Sequence, residues 1–242
     1  MALRVGIDMD GVLADFRGAF REAAGSLAVD LPDGSDGGQG RLSDAEMKRA
    51  WKEVSSRANW WVGLRAYEPD QIPRLYALAR RGKWEVFFLT KRPPTQGEAV
   101  QFQTQWWLEQ HGFYLPTVLT VPGSRGELAN ALRLDIVVDD QPLNCVEVIS
   151  ASPSKALLML RDQKSRGERE RAMNRGIGVV VSVEEALNVL ERLHEVIPAR
   201  RGKLLRLMDW FPSEKPAAET LPLNPRAGRA VPDPPVPESD RG

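Results

Sequence analysis

This 242-residue chain has no excess of either charge, because 33 lysines and arginines offset 33 aspartates and glutamates for a formal net charge of zero. No global positive field draws it to nucleic acid or anionic lipid, and neither partner is expected. Long apolar runs are also missing. The longest, Val86 to Leu89 and Ala156 to Leu160, span only a few residues, far short of the ~20 that a membrane-spanning helix requires. Cysteine occurs once, as Cys145, so no intrachain disulfide can form and a cytoplasmic compartment is expected. Cys145 itself reads as buried filler. The start, Met1-Ala2-Leu3-Arg4, leads straight into a strand-like run without the basic start and apolar stretch of a secretory signal. The two histidines, His111 and His194, lack metal-ligand spacing.

What is present is alternation. Six short aliphatic runs, Leu3–Ile7, Glu85–Leu89, Thr117–Val121, Ile136–Val138, Ala156–Leu160 and Gly178–Val181, alternate with segments of helical character. Apolar residues on consecutive positions suit strands covered on both faces. Four helices are expected to begin at capping boxes, Ser43/Glu46, Thr95/Glu98, Ser124/Glu127 and Ser182/Glu185. Apolar stripes follow two of them, at Met47, Ala50, Trp51 and Val54 and at Val183, Ala186, Leu187, Leu190 and Leu193. This order implies an α/β fold with a doubly wound parallel sheet.

About seventy residues separate the first strand from the second, too many for one crossover. A small helical cap is therefore expected as an insertion after the first strand. The expected division is a core of residues 1–14 and 76–211, a cap of 15–75, and a disordered tail of 212–242 that holds 8 of the 18 prolines. Asp30 to Gly40, with four glycines, reads as a loop. A helix is expected over Ala199 to Trp210. The mixed-sign stretch Arg161 to Arg175 reads as a solvated face, and of the tandem Trp106 and Trp107 the first is expected in the core and the second at the surface.

In open α/β sheets, ligands bind beyond the carboxyl ends of the strands. Here Leu3–Ile7 runs into Asp8-Met9-Asp10-Gly11, Val86–Leu89 into Thr90-Lys91-Arg92, and Ile136–Val138 into Asp139-Asp140. Asp8 and Asp10 are two apart, so in extended chain they point to one side and can share a reaction centre. Carboxylates that close repel one another unless a divalent cation sits between them and Asp140. Oxygen donors of this kind suit Mg²⁺. With a cation and Lys91, Arg92 or Arg125 neutralising phosphate charge, an aspartate can attack phosphorus while a second exchanges protons with the leaving oxygen and water.

The run DMDGVLADF resembles motif I of the haloacid dehalogenase-like (HAD) phosphatases, in particular the 5′(3′)-deoxyribonucleotidase (5′-nucleotidase) branch. The resemblance spans roughly Leu3 to Leu193. It implies a Rossmann-like core, Asp8 as nucleophile, Asp10 as general acid and base, and Mg²⁺ held by Asp8 and the Asp10 carbonyl. Thr90 in FFLTKRP matches the hydroxyl that holds the transferring phosphoryl group, with Lys91 a further phosphate contact. Asp139 and Asp140 in DIVVDDQP match the acidic motif, with Asp140 expected on the metal and Asp139 supporting it, an order open to reversal. The usual motif III lysine is replaced by Arg125 in PGSRGEL, whose planar fork is not equivalent to an ammonium.

The cap governs substrate choice in this superfamily. Trp60 and Trp61 in NWWVGL resemble the aromatic segment that encloses a nucleobase, and stacking on indole is worth ~1–3 kcal/mol. Phe16 is a comparable candidate, whereas Trp51 is expected in the cap's own core. The function expected is Mg²⁺-dependent hydrolysis of nucleoside or deoxynucleoside monophosphates through an aspartyl-phosphate. Alternatives are another small phosphate ester, or nucleotide binding with little turnover. A homodimer is left open.

Overall fold

Each of the six aliphatic runs forms a strand, and the six strands lie in one sheet. They are β1 (Arg4–Asp8), β2 (Glu85–Thr90), β3 (Thr117–Thr120), β4 (Ile136–Asp139), β5 (Lys155–Met159) and β6 (Gly178–Val180). All pair in parallel, in the order β3-β2-β1-β4-β5-β6. The computed structural model describes residues 2–24, 44–161 and 166–200. The expected loop at 30–40, the cap residue Ser43, the tail at 212–242 and nearly all of the helix at 199–210 lie outside the described residues. The helices are α1 (Phe16–Ala24), α2 (Asp44–Ser56), α3 (Gln71–Gly82), α4 (Val100–Gln110), α5 (Arg125–Ala131), α6 (Pro142–Ala151), α7 (Arg166–Asn174) and α8 (Val183–Arg200). None of the described helices is long and apolar enough to cross a membrane.

Strand periodicity sorts side chains to two faces. Val5, Ile7, Ile136 and Val138 pack with Leu75 of α3, Trp107 and Leu108 of α4, and Leu187 and Leu190 of α8. Leu89, Val137 and Leu158 face the other way, against Ala129 of α5, Cys145 and Val148 of α6, and Ala172 of α7. Each fully buried leucine contributes roughly 1.5–3 kcal/mol. At one sheet edge, Gln101 and Gln105 of α4 donate to the β3-side carbonyls of Val118 and Pro116 at 3.1 and 3.2 Å. These side chains cover part of an otherwise exposed strand edge.

Among the described residues between β1 and β2 lie α1, α2, a 3₁₀ turn at Trp60–Gly63 and then α3. Phe20 and Ala23 of α1 meet Ala50 and Val54 of α2 in a small core of their own. The insertion is fastened to the segment after β2. Asn59 N–H donates to Gln96 O at 2.7 Å, Gln96 N–H to Ser55 O at 3.0 Å, and Glu98 N–H to Asn59 Oδ1 at 2.8 Å. Trp61 donates through its backbone N–H to Gln103 Oε1 at 3.2 Å and through its indole N–H to Pro93 O at 3.0 Å.

Several local expectations are corrected. The helix after β2 begins at Val100 rather than at Thr95, because Gly97 stands at φ +93° and the preceding loop is bonded to the insertion instead. Ser124 does cap α5, but it accepts from Gly126 N–H, and Glu147 of α6 rather than Glu127 engages Ser124 Oγ and Arg125 N–H. Ser182 accepts from Glu185 N–H at 3.0 Å, and the Glu185 carboxylate returns a bond to Val181 N–H at 2.8 Å. The tandem tryptophans are reversed: Trp107 is fully buried and donates to Leu64 O at 2.7 Å, while Trp106 is 42% exposed. Their order follows from α4 turning Thr104, Trp107 and Leu108 toward the sheet.

Arg161 also departs from the solvated face expected for its stretch. Its guanidinium donates to Gly11 O at 3.2 Å, to Val12 O at 2.6 Å and to Glu68 at 2.8 Å, and lies 4.0 Å from the Tyr67 ring centre. Glu68 in turn accepts from Val183 and Glu184 N–H groups at 2.9 and 3.1 Å, capping α8. Burial raises the Glu68 pKa, but the bonds from Val183, Arg161 and Glu184 outweigh it and hold the carboxyl below its ordinary 4.5. Its contribution is therefore full above the unfolded-state pKa and lost as the pH falls through the lower folded-state value. Glu68→Ala should lower stability by about 1–2 kcal/mol at pH 7, and urea denaturation should show the two proteins converging as the pH drops below 4.5.

Candidate active site

The parallel register carries three strand ends to one edge. β1 ends at Asp8, which pairs with Leu89, so Thr90 lies one residue further along the neighbouring strand, and Asp139 closes β4 on the other side. β1 is the point where the strand order reverses, the usual position of a ligand crevice in this architecture. Gly11 follows at φ +84°, and a Cβ there would lie 2.1 Å from Asp140 Oδ2. Only glycine allows the loop after Asp10 to pass that close to a second acidic residue.

Asp8 is buried and accepts from Arg125 Nη2 at 2.6 Å. The same guanidinium donates through Nε to Asp139 Oδ2 at 3.4 Å. Carboxylate oxygens of Asp8, Asp139 and Asp140 lie within 4.8 Å of one another, and among the described residues they are the acidic group that can hold a metal ion. Burial, followed by the charge of Asp139, pushes the Asp8 carboxyl well above its ordinary value, with Arg125 pulling the other way. Burial and the Asp139 charge likewise raise Asp140 to about 7. Asp139 is raised by burial against hydrogen bonds from Gln141, Asn144 and Arg125. Three carboxylates thus face one interior guanidinium, with Arg17 at 3.8 Å from Asp140 at the rim. The trio is short of positive charge, and an all-oxygen donor set in that condition fits a hard divalent cation such as Mg²⁺.

The two neighbouring aspartates differ in what remains free. Asp139 Oδ1 accepts from Gln141 N–H at 2.8 Å and Asn144 Nδ2 at 3.0 Å, and its Oδ2 accepts from Asn144 at 3.0 Å as well as from Arg125. Among the described residues Asp140 accepts a hydrogen bond from the Gln141 side chain alone, at 3.1 Å, with Arg17 at ion-pair distance. Asp140 is accordingly the one with lone pairs to offer a cation. The Asp10 carboxylate lies outside the trio, held instead by Arg92 at 2.8 to 3.2 Å.

Two buried polar atoms here have no hydrogen-bond partner, Thr90 Oγ1 and Arg125 Nη1. Unpaired buried donors are costly and are characteristic of sites that await an anionic ligand. A cavity of about 440 Å³ opens beside Arg125, lined among others by Asp8, Asp10, Lys91, Arg92, Arg125 and Asp140 and by Phe16, Trp51 and Trp61. Lys91 is exposed at its mouth. Phe16 stacks on Trp51 at 5.8 Å and on Trp61 at 5.9 Å between ring centres. Trp60 does not line the cavity; it stands edge-on to Trp61 and Phe16. Trp51 packs against the insertion's core as expected, 4.8 Å from Phe20 between ring centres, and lines the cavity as well. Asn144, Gln141 and Glu147 complete the site without having been singled out, since polar residues in loops and helices carry no periodic signal, and Arg92, expected to neutralise phosphate charge, holds the Asp10 carboxylate instead. Cys145 is fully buried with its thiol pKa raised by burial, as expected of filler.

No protein-family model matches the sequence, and no curated protein matches it. Solved structures do share its fold. A HAD family hydrolase from Deinococcus radiodurans, crystallised with bound phosphate and sodium, matches with a TM-score of 0.51 at 13% identity, covering 79% of this chain and 96% of that one. A phosphonoacetaldehyde hydrolase-like protein from Oleispira antarctica matches with a TM-score of 0.50 at 13% identity, over 83% of this chain and 95% of its own. A protein assigned as a beta-phosphoglucomutase from Thermotoga maritima matches with a TM-score of 0.50 at 17% identity, over 78% and 99%. The chain has the Rossmann-like α/β fold of these HAD-type hydrolases, with an acidic cluster able to bind a metal at its strand ends.

Replacing Arg125 with Met leaves Asp8 and Asp139 buried without their shared counter-charge, a loss of about 3 kcal/mol or more. Thermal melting should show the destabilisation, and millimolar Mg²⁺ should recover part of it. An unchanged melting temperature would mean that the carboxylates are already neutral.

Proposed function

We propose that this protein is a Mg²⁺-dependent phosphatase that hydrolyses nucleoside or deoxynucleoside monophosphates through an aspartyl-phosphate on Asp8. The observation that carries the reading is the pairing of Asp8 with two unpartnered buried donors, Thr90 Oγ1 and Arg125 Nη1, at adjoining strand ends. Asp8 attacks phosphorus as the ester P–O bond breaks, and Asp10, which must enter this step protonated within its contact to Arg92, gives that proton to the departing oxygen. Asp10, now ionised, takes a proton from water, which attacks phosphorus and frees Asp8. Thr90 and Arg125 hold the phosphoryl oxygens, and Lys91 at the mouth adds positive charge. Mg²⁺ would be held by Asp8, Asp140 and the Asp10 carbonyl, with Asp139 fixing Arg125 and the turn at Gln141. Bound there, it neutralises charge on the phosphoryl oxygens.

The nucleotide assignment rests on the aromatic wall. Phe16, Trp51 and Trp61 line the same cavity as the carboxylates, and a flat base against an aromatic face gains ~1–3 kcal/mol by stacking. A sugar phosphate without a base has no such partner. The ion pair that holds Asp8 favours one other reading, nucleotide binding with little turnover, since the nucleophile must leave Arg125 to react.

Phosphate release from a panel of nucleotide and sugar monophosphates, with Mg²⁺ and with EDTA, tests all three. Mg²⁺-dependent release that favours nucleotides supports the proposal, and sugar phosphates outpacing nucleotides removes the aromatic argument. Asp8→Asn should cut hydrolysis by at least about 1,000-fold without loss of melting temperature, because it removes one of three crowded carboxylates. Surviving hydrolysis in that variant would sink the covalent mechanism.

A further inference from the structure

Asp10 is the one acidic residue of the site that does not join the others, and Arg92 accounts for its separation. The Arg92 side chain is fully buried. Its Nε donates to both Asp10 oxygens at 2.9 and 3.2 Å and its Nη2 to Oδ1 at 2.8 Å, a two-pronged grip on the carboxylate. The guanidinium is itself immobilised. Nη1 donates to Thr104 Oγ1 at 3.0 Å, and the guanidinium carbon lies 4.8 Å from the Trp61 ring centre. Trp61 is anchored in turn by its two hydrogen bonds, to Gln103 and Pro93.

We propose that Arg92 is the positioning residue for Asp10. An aspartate two residues from Asp8 has two places to turn, toward the space shared by Asp8 and Asp140 or toward the aromatic side of the cavity. The fork selects the second, because a planar guanidinium fixes the plane of a carboxylate as well as its distance. Asp10 is thereby kept out of the cation site, tied through Arg92 to Trp61 and left lining the cavity, where the phosphatase reading puts the leaving alcohol. Proton transfer demands that placement, since the donor must lie within hydrogen-bond reach of the leaving oxygen. The link also ties the proton donor to the wall that faces the substrate. This inference rests on the phosphatase reading of the same site.

The test compares wild-type, Arg92→Met and Arg92→Lys on two esters, p-nitrophenyl phosphate, whose leaving group departs without a proton, and a nucleoside 5′-monophosphate, whose leaving group needs one. In kcat/KM, which reports the steps up to alcohol release, Arg92→Met should lose about 100-fold more on the nucleotide than on the aryl ester. Arg92→Lys should restore part of that difference, having the charge without the fork. Equal losses on both esters would overturn the proposal, because they would place Arg92 on the phosphoryl group or in the fold rather than behind Asp10. Crystal structures of the two variants without substrate give a reading independent of turnover. An Asp10 carboxylate displaced toward Asp8 or Asp140 in Arg92→Met supports the proposal, and one that stays in its wild-type place refutes it. If the wild-type protein hydrolyses neither ester, the phosphatase reading fails, and those structures still decide whether Arg92 sets the place of Asp10.

Discussion

A single guanidinium buried between two carboxylates governs the layout of this molecule. Arg125 reaches Asp8 at the end of β1 and Asp139 at the end of β4, which brings the first residue of a short helix to two neighbouring strand ends. Such a cluster is expensive to desolvate, and Asp139 is the member best supplied with donors, from Gln141, Asn144 and Arg125. The supply of donors is structural. Glu147 of α6 holds Ser124 Oγ and Arg125 N–H, and α5 approaches α6 so closely that a Cβ at Gly126 would stand 2.2 Å from Glu147 O. Helix packing and site electrostatics are therefore one constraint. What the cluster still lacks is positive charge, and that deficit is the property a divalent cation and a phosphate-bearing ligand would use.

The insertion contributes the aromatic lining of the cavity. Its own core is small, with Phe20, Ala23, Ala50 and Val54 buried, so α1 and α2 alone bury too little apolar surface to hold Trp61 in place. The hydrogen bonds to the segment after β2 do so instead. They place the indole of Trp61 against Arg92, and thus next to the residue that grips Asp10. Aromatic wall and proton-transfer residue are held by one short stretch, Thr90 to Gln103, that serves the strand end, the loop and the first turns of α4.

Much of this was legible before any coordinates. Periodicity located all six strands to within a residue or two, and the aspartates and Thr90 were singled out by where aliphatic runs stop, Arg125 by the resemblance of PGSRGEL to motif III. Side-chain partners were less legible. Trp60 and Trp61 are adjacent and chemically identical, so composition cannot say which faces the cavity, and Trp51, packed on Phe20 in the insertion's core, lines the cavity beside Phe16 as well. Arg161 looked like one more charge in a polar stretch, yet it braces the backbone of the loop after Asp10. Thr95 and Glu98 had the spacing of a helix start, but bonds between the insertion and the loop at Gln96 and Gly97 outcompeted it.

The amino-acid sequence alone determined the parallel α/β sheet and the chemical identity of its strand ends, because both follow from local rules: which residues repeat with strand or helix period, and what comes next in the chain. The tertiary structure decided which charge meets which. Arg125 rather than Lys91 reaches Asp8, Arg92 rather than a cation takes the Asp10 carboxylate, and Asp139 rather than Asp140 is consumed by internal hydrogen bonds. Asp139 draws its donors from Gln141 and Asn144, 2 and 5 positions away, as well as from Arg125, 14 away, but the two arginine pairings join residues 82 and 117 positions apart. They depend on the path of the intervening helices, which no local pattern encodes.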